Sequence, residues 1–337
     1  MNARDDAADR SIRASGLRRT FGGVTAVDGV DLDVPDGQIF GFLGPNGAGK
    51  STLVKILTTI LNPTGGSATV AGHDVRREGG KVREAIGVAL QDVGLDPLMT
   101  ARELLVLQGE LFGTPRDEAR KTAERLLRTV GLDDVDPKKR SGAYSGGMKR
   151  RLDLALALVH DPRILFLDEP TTGLDPASRA AIWEEVQRLN DEFGMTIFLT
   201  TQYLEEADRL ADRVAIINKG RIVAQGTPAE LKRQVGDEVV ELQFGSCEEA
   251  ERAYDTLAPV APNRQAANRE LRLYFGRAAE NVPVLVRALD GAGIRLQGMT
   301  IEQPSLDDVF LRVTGEALEH EVDEAAGDVP EATEVRS

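Results

Sequence analysis

The clearest chemistry in the sequence is concentrated in one nine-residue loop, Gly44-Pro45-Asn46-Gly47-Ala48-Gly49-Lys50-Ser51-Thr52. The loop satisfies G-x-x-x-x-G-K-[ST], a pattern typical of phosphate binding. Its glycines allow successive backbone N–H groups to face an anion, and a following helix adds the positive end of its dipole. Lys50 can contact the outer phosphates, and the Ser51 hydroxyl is a suitable Mg²⁺ ligand. A glycine-rich turn with an incidental lysine is the alternative, which a strand before the loop and a helix after it disfavour.

Two carboxylates form the second candidate group. Asp168 and Glu169 directly follow four apolar residues, 164–167, which predict a buried strand. Such a strand carries the acids to its carboxyl end, where ligands bind in open α/β sheets. Asp168 is suited to the Mg²⁺ shell, and Glu169 to orienting or deprotonating an attacking water. The pair alone is a weak signal, because many strands end in acidic turns, but with the phosphate loop it predicts nucleotide hydrolysis.

The surrounding pattern predicts an α/β fold. Residues 39–43 form a short apolar run that ends at glycine, and 50–61 have the pattern of a helix ended by Asn62-Pro63. Strand, glycine loop and helix open an α/β unit. Further strands are predicted at 164–167, 196–200, 214–218 and 221–225, and helices at 101–113, 117–130, 177–193 and from Thr227-Pro228 onward.

After Gly236 the pattern changes to a small module. Its predicted order is βαββαβ, which suggests a ferredoxin-like arrangement. Strands are predicted at 238–244, 260–265, 270–275 and 294–302, and helices at 248–257, 281–289 and 306–313.

Composition excludes several classes of protein. The chain has 337 residues, too many for one domain of usual size, and a net charge of −14, which disfavours a nucleic-acid partner. Residues 316–337 hold eight acids and one arginine, which predicts a disordered acidic tail. A single cysteine excludes an internal disulfide, and the three histidines are far apart. No apolar run approaches the ~20 residues of a membrane span, and residues 1–13 lack a signal-peptide core.

The order of further motifs identifies a resemblance. Tyr144-Ser145-Gly146-Gly147-Met148 resembles the signature motif, usually LSGGQ, of ATP-binding cassette (ABC) ATPases, and it lies between the phosphate loop and Asp168 as in that family. Gln91 resembles the Q-loop glutamine, Gly173-Leu174-Asp175 the D-loop, and Phe21 the aromatic residue that stacks on adenine.

The resemblance implies an α/β fold, the P-loop NTPase ABC cassette, at residues 13–235. It would contain a RecA-like core, an antiparallel β subdomain and a helical signature subdomain at about 92–160. A flexible N-terminus at 1–12 is expected before it. A small α+β C-terminal domain at 236–315, with a regulatory or dimerising role, is expected after it, followed by the tail at 316–337.

The family's mechanism assigns roles to these residues. Two cassettes, here a homodimer, close head to tail around two ATP molecules with Mg²⁺. The resemblance implies catalytic roles for Lys50, Glu169 and Gln202 and metal binding by Ser51, Gln91 and Asp168. The implied ATP contacts are Phe21, Gly44, Pro45, Asn46, Gly47, Ala48, Gly49, Lys50, Ser51, Thr52, Gln91, Ser145, Gly146, Gly147 and Asp175.

Three segments, 150–155, 200–208 and 304–310, narrow the resemblance to the daunorubicin/doxorubicin-resistance type of ABC exporter ATPase. That type works with a separate integral-membrane permease. The expected location is therefore the cytoplasmic side of the cell membrane, with membrane contact only through the partner and with drug-, antibiotic- or lipid-like cargo. No nucleic-acid partner is expected.

Two other functions remain open on the residues alone. A soluble ABC-type ATPase acting on nucleic acid or the ribosome is disfavoured by the single cassette, the acidic body and the absence of a long coiled-coil insertion. A binding module that does not hydrolyse ATP is disfavoured by Glu169.

Gln202 generates the first prediction, because the wider family generally has histidine there. Glutamine can hydrogen-bond a γ-phosphate but cannot become cationic, so we predict retained ATP binding with modest turnover. Gln202→His should raise the steady-state rate of ATP hydrolysis, measured as phosphate release. A rate that is unchanged or lowered would contradict this interpretation.

Overall fold

The computed structural model describes residues 10–91, 94–236 and 238–314. These residues form three sheets; the strands of the first two are interleaved along the chain, and the third follows them. The elements up to residue 235 are β1 (Arg10–Phe21), β2 (Val24–Pro35), β3 (Ile39–Leu43), α1 (Lys50–Leu57), β4 (Gly65–Val70), β5 (His73–Asp74), α2 (Gly79–Ala85), β6 (Ile86–Ala89), α3 (Ala101–Leu111), α4 (Arg116–Thr129), α5 (Gly146–Ala157), β7 (Ile164–Asp168), α6 (Pro176–Phe193), β8 (Thr196–Thr201), α7 (Leu204–Leu210), β9 (Arg213–Asn218), β10 (Arg221–Gly226) and α8 (Pro228–Val235).

The central sheet has the order β10-β9-β3-β8-β7-β6. It is parallel except for β10, which forms an antiparallel hairpin with β9. Side chains of the buried strands alternate between two cores, as the period of two requires. Phe40, Phe42 and Phe198 pack on one face against α1 and the first sheet, while Leu167 and Leu199 pack on the other face against the helical segment. The predicted α/β cassette fold is confirmed.

The first sheet, of order β2-β1-β4-β5, is antiparallel. Its strand β1 begins at Arg10, and Ile12 is fully buried between its neighbours. The expected flexible N-terminus at 1–12 was therefore wrong for 10–12, because the strand continues through them. Residues 1–9 lie outside the described residues.

Helix α1 ends at Leu57, four residues before the predicted end at 61. Thr58 donates its N–H to Val54 O, and Thr59 then adopts a left-handed backbone with φ of 65°. This conformation stops the helix before Asn62-Pro63 is reached.

The C-terminal module consists of β11 (Glu238–Phe244), α9 (Cys247–Thr256), β12 (Arg264–Ala267), β13 (Glu270–Phe275), α10 (Ala278–Gly291), β14 (Leu296–Glu302) and α11 (Leu306–Thr314). The antiparallel sheet order β12-β13-β11-β14 and the two helices give the predicted βαββαβ arrangement. The second strand begins at Arg264 rather than at 260. The predicted acidic tail at 316–337 lies outside the described residues.

The module packs against the preceding elements through α11 and through strands β11 and β13. Leu306, Val309 and Phe310 of α11 share one core cluster with Leu204 of α7 and Leu43 of β3. Asp308 fixes the start of α11 by accepting hydrogen bonds from Arg272, Tyr274 and Ser305. No helix among the described residues is both long and apolar enough to cross a lipid bilayer.

Candidate nucleotide site

Strand β3 and helix α1 hold the phosphate loop between them, and two of its glycines, Gly44 and Gly49, have no room for side chains. A Cβ on Gly44 would lie 2.4 Å from Ile217 O, and one on Gly49 would lie 2.3 Å from Ala26 O. Gly49 also has a φ of 110°, a left-handed conformation that favours glycine. Gly47, with φ of 78°, faces open space. The loop is therefore a cradle with close backbone support on one side and an open mouth on the other.

Lys50 is the centre of the polar contacts. Its Nζ donates to Gly44 O at 2.7 Å and to Pro45 O at 3.2 Å. It also forms an ion pair with Glu169 Oε1 at 3.2 Å, although only 4% of Lys50 is exposed. The lysine thus joins the phosphate loop to the carboxylate that the sequence singled out.

Asp168 lies at the end of β7, next to the first turn of α1. Its Oδ1 accepts from Ser51 Oγ at 3.3 Å and from Thr200 Oγ1 at 2.5 Å. The sequence did not identify Thr200 as a site residue. The only signal in the sequence was its position at the end of the predicted strand 196–200; its pairing with Asp168 is visible only in the structure. The side-chain oxygen atoms of Ser51, Asp168 and Thr200 therefore lie close together at one edge of the sheet.

Glu169 has an unusual backbone for a residue with a side chain. Its φ is 49°, in the left-handed region. Its N–H donates to Thr200 O at 3.0 Å and to Thr200 Oγ1 at 3.1 Å. Gln91 Nε2 donates to its Oε2 at 3.1 Å, so Gln91 and Lys50 each hold one carboxylate oxygen.

Arg150 is a further residue at this edge, which the sequence identified only as part of the segment 150–155, with no predicted role in the site. It is 5% exposed and contacts main-chain oxygens beside Gln91 and Glu169. Its partner Asp153 is largely buried, and burial raises the pKa of that carboxyl to about 6 although Arg150 opposes the shift. Arg150 is therefore a buried, hydrogen-bonded side chain and not part of a solvent-exposed basic patch.

Gln202 follows β8 and is 8% exposed. Four residues later, Glu206 is fully buried, and its Oε1 accepts from Thr171 Oγ1 at 3.0 Å and from Trp183 Nε1 at 2.9 Å. Burial raises the pKa of Glu206, while hydrogen bonds to the carboxyl oppose that shift. Trp183 is itself buried in the core, at 5% exposure, and the sequence did not predict its bond to Glu206.

The signature motif and the D-loop form a separate group. Ser145 caps α5 by accepting from Met148 N, and Asp175 caps α6 by accepting from Ser178 N at 2.9 Å. Gly147 lies against Ser178, because a Cβ on it would be 2.7 Å from the Ser178 hydroxyl. Among the described residues, no hydrogen bond or ion pair joins Ser145, Gly146, Gly147 or Asp175 to the phosphate loop.

Phe21 ends β1 at the hairpin with β2 and is 41% exposed. The Arg19 guanidinium lies 4.4 Å from its ring centroid. The other face of the ring is the surface on which a planar base could stack.

No group of three or more His, Cys, Asp or Glu side chains suited to a metal occurs in the part of the chain that the structure describes. The candidate Mg²⁺ ligands are of a different kind, a hydroxyl and one carboxylate, which leaves room for phosphate oxygens and water.

Two family models match the chain in succession. Residues 27–172 match the ABC transporter model, and residues 226–314 match that of the ATP-binding protein DrrA1-3-like, C-terminal domain. The matches cover the phosphate loop, the signature and both carboxylates, and then the C-terminal module.

Comparison with individual proteins also indicates an ABC transporter ATP-binding protein. The chain is 43% identical to the daunorubicin/doxorubicin resistance ATP-binding protein DrrA of Streptomyces peucetius, over 94% of this chain and 96% of that protein. It is 39% identical to the Nod factor export ATP-binding protein I of Rhizobium sp., over 92% of this chain and 98% of the relative. The dimeric structure of the bacterial ABC transporter cassette MJ0796 superposes with a TM-score of 0.59 at 27% identity, over 64% of this chain and 98% of that cassette.

The site thus defines an ATP-binding cassette of a transporter, with ATP as its ligand. The chain belongs to the ABC transporter ATP-binding proteins of the DrrA daunorubicin/doxorubicin resistance type. It is an ABC-type ATPase whose hydrolysis is coupled to transport.

Glu206 generates a prediction about pH. Its folded-state pKa is raised above 4.5, so the folded protein keeps a proton that the unfolded chain releases. This group's contribution to stability is full below pH 4.5 and is lost as pH rises towards the folded-state pKa. Glu206→Gln has no such loss. We predict that the free energy of unfolding of Glu206→Gln, minus that of wild type, increases between about pH 5 and pH 8, so the variant gains stability relative to wild type.

The measurement is urea unfolding at both pH values. Glu205→Gln, an exposed position on the same helix, is the matched control and should show no change of this kind. A difference for Glu206→Gln that is the same at both pH values would mean that the carboxyl is ionised in the folded protein.

Proposed function

We propose that this chain hydrolyses ATP with Lys50, Glu169 and Gln202 at the phosphate loop and thereby drives export of drug-, antibiotic- or lipid-like cargo through a separate membrane subunit. The observation that carries the proposal is the contact of Lys50 and Glu169 at the mouth of a glycine cradle, with Asp168 beside them. The relatives named for drug resistance and for export support the cargo class.

ATP fits the cradle through its phosphates. The backbone N–H groups of the loop and the N-terminus of α1 face the anion, while Phe21 offers a ring face to adenine. Lys50 supplies the positive charge. Because Lys50 lies on Glu169 Oε1, phosphates that attract the lysine would free that carboxylate oxygen.

Mg²⁺ fits the oxygen atoms next to the cradle. Ser51 and Asp168 would hold it, with Gln91 at the opposite side of Glu169 as a further ligand. When bound, the ion would neutralise charge on the phosphate oxygens.

Hydrolysis then needs one proton acceptor. Glu169 would orient a water molecule and accept its proton while the water oxygen bonds to the γ-phosphorus and the bond to the bridging oxygen breaks. The products are ADP and phosphate. Gln202 would donate a hydrogen bond to the γ-phosphate.

A second copy of the chain would complete the site. The signature residues Ser145, Gly146 and Gly147 form a group with Asp175 that is separate from the phosphate loop. The N-terminus of α5 is suited to an anion and would close on the γ-phosphate bound by the partner. The dimeric cassette that superposes on this chain supports a homodimer.

The membrane partner would bind in a cleft next to Gln91. The cleft is lined by Ile60, Leu90 and Phe112, which follow the ends of α1, β6 and α3, and by Asp153 of α5. Ile60 is 55% exposed and Phe112 is 42% exposed, which is typical of an interaction surface when such residues share a cleft. The chain itself would then lie at the cytoplasmic side of the membrane through this partner.

The proposed chemistry predicts the effect of Glu169→Gln. The amide keeps the shape but cannot accept the proton, so turnover should fall by about 10²- to 10⁴-fold while ATP binding is retained. Phosphate release and equilibrium binding of a fluorescent ATP analogue measure the two effects. Glu184→Gln, exposed on α6, should match wild type. Wild-type turnover in Glu169→Gln would rule out the proposed role.

The proposed cleft predicts a second effect. Ile60→Glu should reduce copurification with a coexpressed membrane subunit that copurifies with wild type, because it places a charge in the apolar part of the cleft. Phe193→Glu is the matched control, since Phe193 is equally exposed, at 57%, but lies at the end of α6 away from the cleft. Unchanged copurification of Ile60→Glu would contradict the proposed role of this cleft in binding the membrane partner.

ATPase activity stimulated by nucleic acid without a membrane partner would favour the soluble alternative.

A further inference from the structure

We propose that Arg150 is a positioning residue for catalysis, which fixes the main chain on both sides of Glu169 and the residue before Gln91. The inference rests on the proposed function, because it assigns Arg150 a role through the carboxylate that would activate water.

The first observation is where the guanidinium binds. Its Nε donates to Pro170 O at 3.0 Å, and its Nη2 donates to Asp168 O at 3.1 Å. These two carbonyls belong to the residues directly before and after Glu169. One rigid side chain therefore holds both flanks of the residue whose backbone has the unfavourable φ of 49°.

The second observation concerns the other polar partner of Glu169. Arg150 Nη1 donates to Leu90 O at 2.6 Å, and Leu90 directly precedes Gln91. Gln91 in turn donates to Glu169 Oε2. The same guanidinium thus binds both the segment that carries Gln91 and the segment that carries Glu169. It thereby fixes the distance between these two segments.

The third observation is the planar shape that these contacts need. Arg150 has four polar partners, three carbonyls and the Asp153 carboxylate at 3.2 Å, and it is 5% exposed. A guanidinium offers five N–H donors in a fixed plane, whereas an ammonium is a compact charge with three. Lysine cannot reach all of these oxygens from one position.

Because Arg150 lies on α5, its contacts couple that helix to the segment around Glu169. The signature residue Ser145 caps this helix. Movement of α5 against β7 would have to stretch or break the bonds to Asp168 and Pro170. Closure of the signature on ATP and the geometry of Glu169 are therefore mechanically linked through one side chain.

Arg150→Lys and Arg150→Gln test the inference by separating kcat from KM. We expect kcat for ATP hydrolysis to fall by about 10- to 100-fold in both variants, because a carboxylate displaced by about 1 Å loses productive geometry. KM and the affinity for an ATP analogue should stay within about 3-fold, since the phosphate loop is untouched. Arg151→Gln is the matched control, because Arg151 contacts Val130 and Gly131 at the end of α4 and should leave kcat unchanged.

A kcat within about 3-fold of wild type for Arg150→Lys would overturn the proposal. So would a parallel loss of kcat, ATP affinity and thermal stability, which is the result of a purely structural role. If Arg150→Gln fails to fold, Arg150→Lys carries the test.

A double variant separates this inference from the proposed function. If Arg150 acts through Glu169, Arg150→Lys should lower single-turnover hydrolysis in wild type but not in the Glu169→Gln background. Additive losses would overturn the positioning role and leave the role of Glu169 intact. Wild-type turnover in Glu169→Gln alone would instead overturn the proposed function.

Discussion

The buried ion pair between Lys50 and Glu169 is the interaction on which the arrangement of the site depends. Both side chains are almost entirely removed from water, at 4% and 5% exposure, so each charge needs compensation within the protein. Lys50 obtains it from two carbonyls of its own loop, and Glu169 from Gln91. The pair thereby fixes the loop after β3 against the end of β7.

The rest of the fold positions the two segments that make this contact. Strands β3, β7 and β8 are parallel, so their carboxyl ends meet at one edge of the sheet. Their side chains alternate between two apolar cores, and a shift of one residue would turn Asp168 away from Ser51. The C-terminal module adds to this support, because Phe310 shares a cluster with Leu43, which directly precedes the loop.

The sequence predicted the parts of the site that rest on local pattern. The phosphate loop and the two carboxylates were readable because their residue types and spacing form short patterns along the chain. Thr200 and Arg150 were not, because their roles depend on which strand lies beside β7 and on how α5 crosses its end. Arg150 even gave a misleading signal, since a run of Lys149, Arg150 and Arg151 is typical of a solvated face.

The sequence also did not predict the left-handed backbone conformations of Thr59 and Glu169. The left-handed Thr59 that ends α1 has no sequence signal comparable to Asn62-Pro63, and the left-handed Glu169 follows a strand that otherwise reads as regular. A strained residue persists only where its surroundings determine it more strongly than its own preference does. Around Glu169 those surroundings come from β8 through Thr200 and from α5 through Arg150. The Glu169 carboxylate is therefore held less by its own strand than by its neighbours, and a change in either neighbour would change the candidate site.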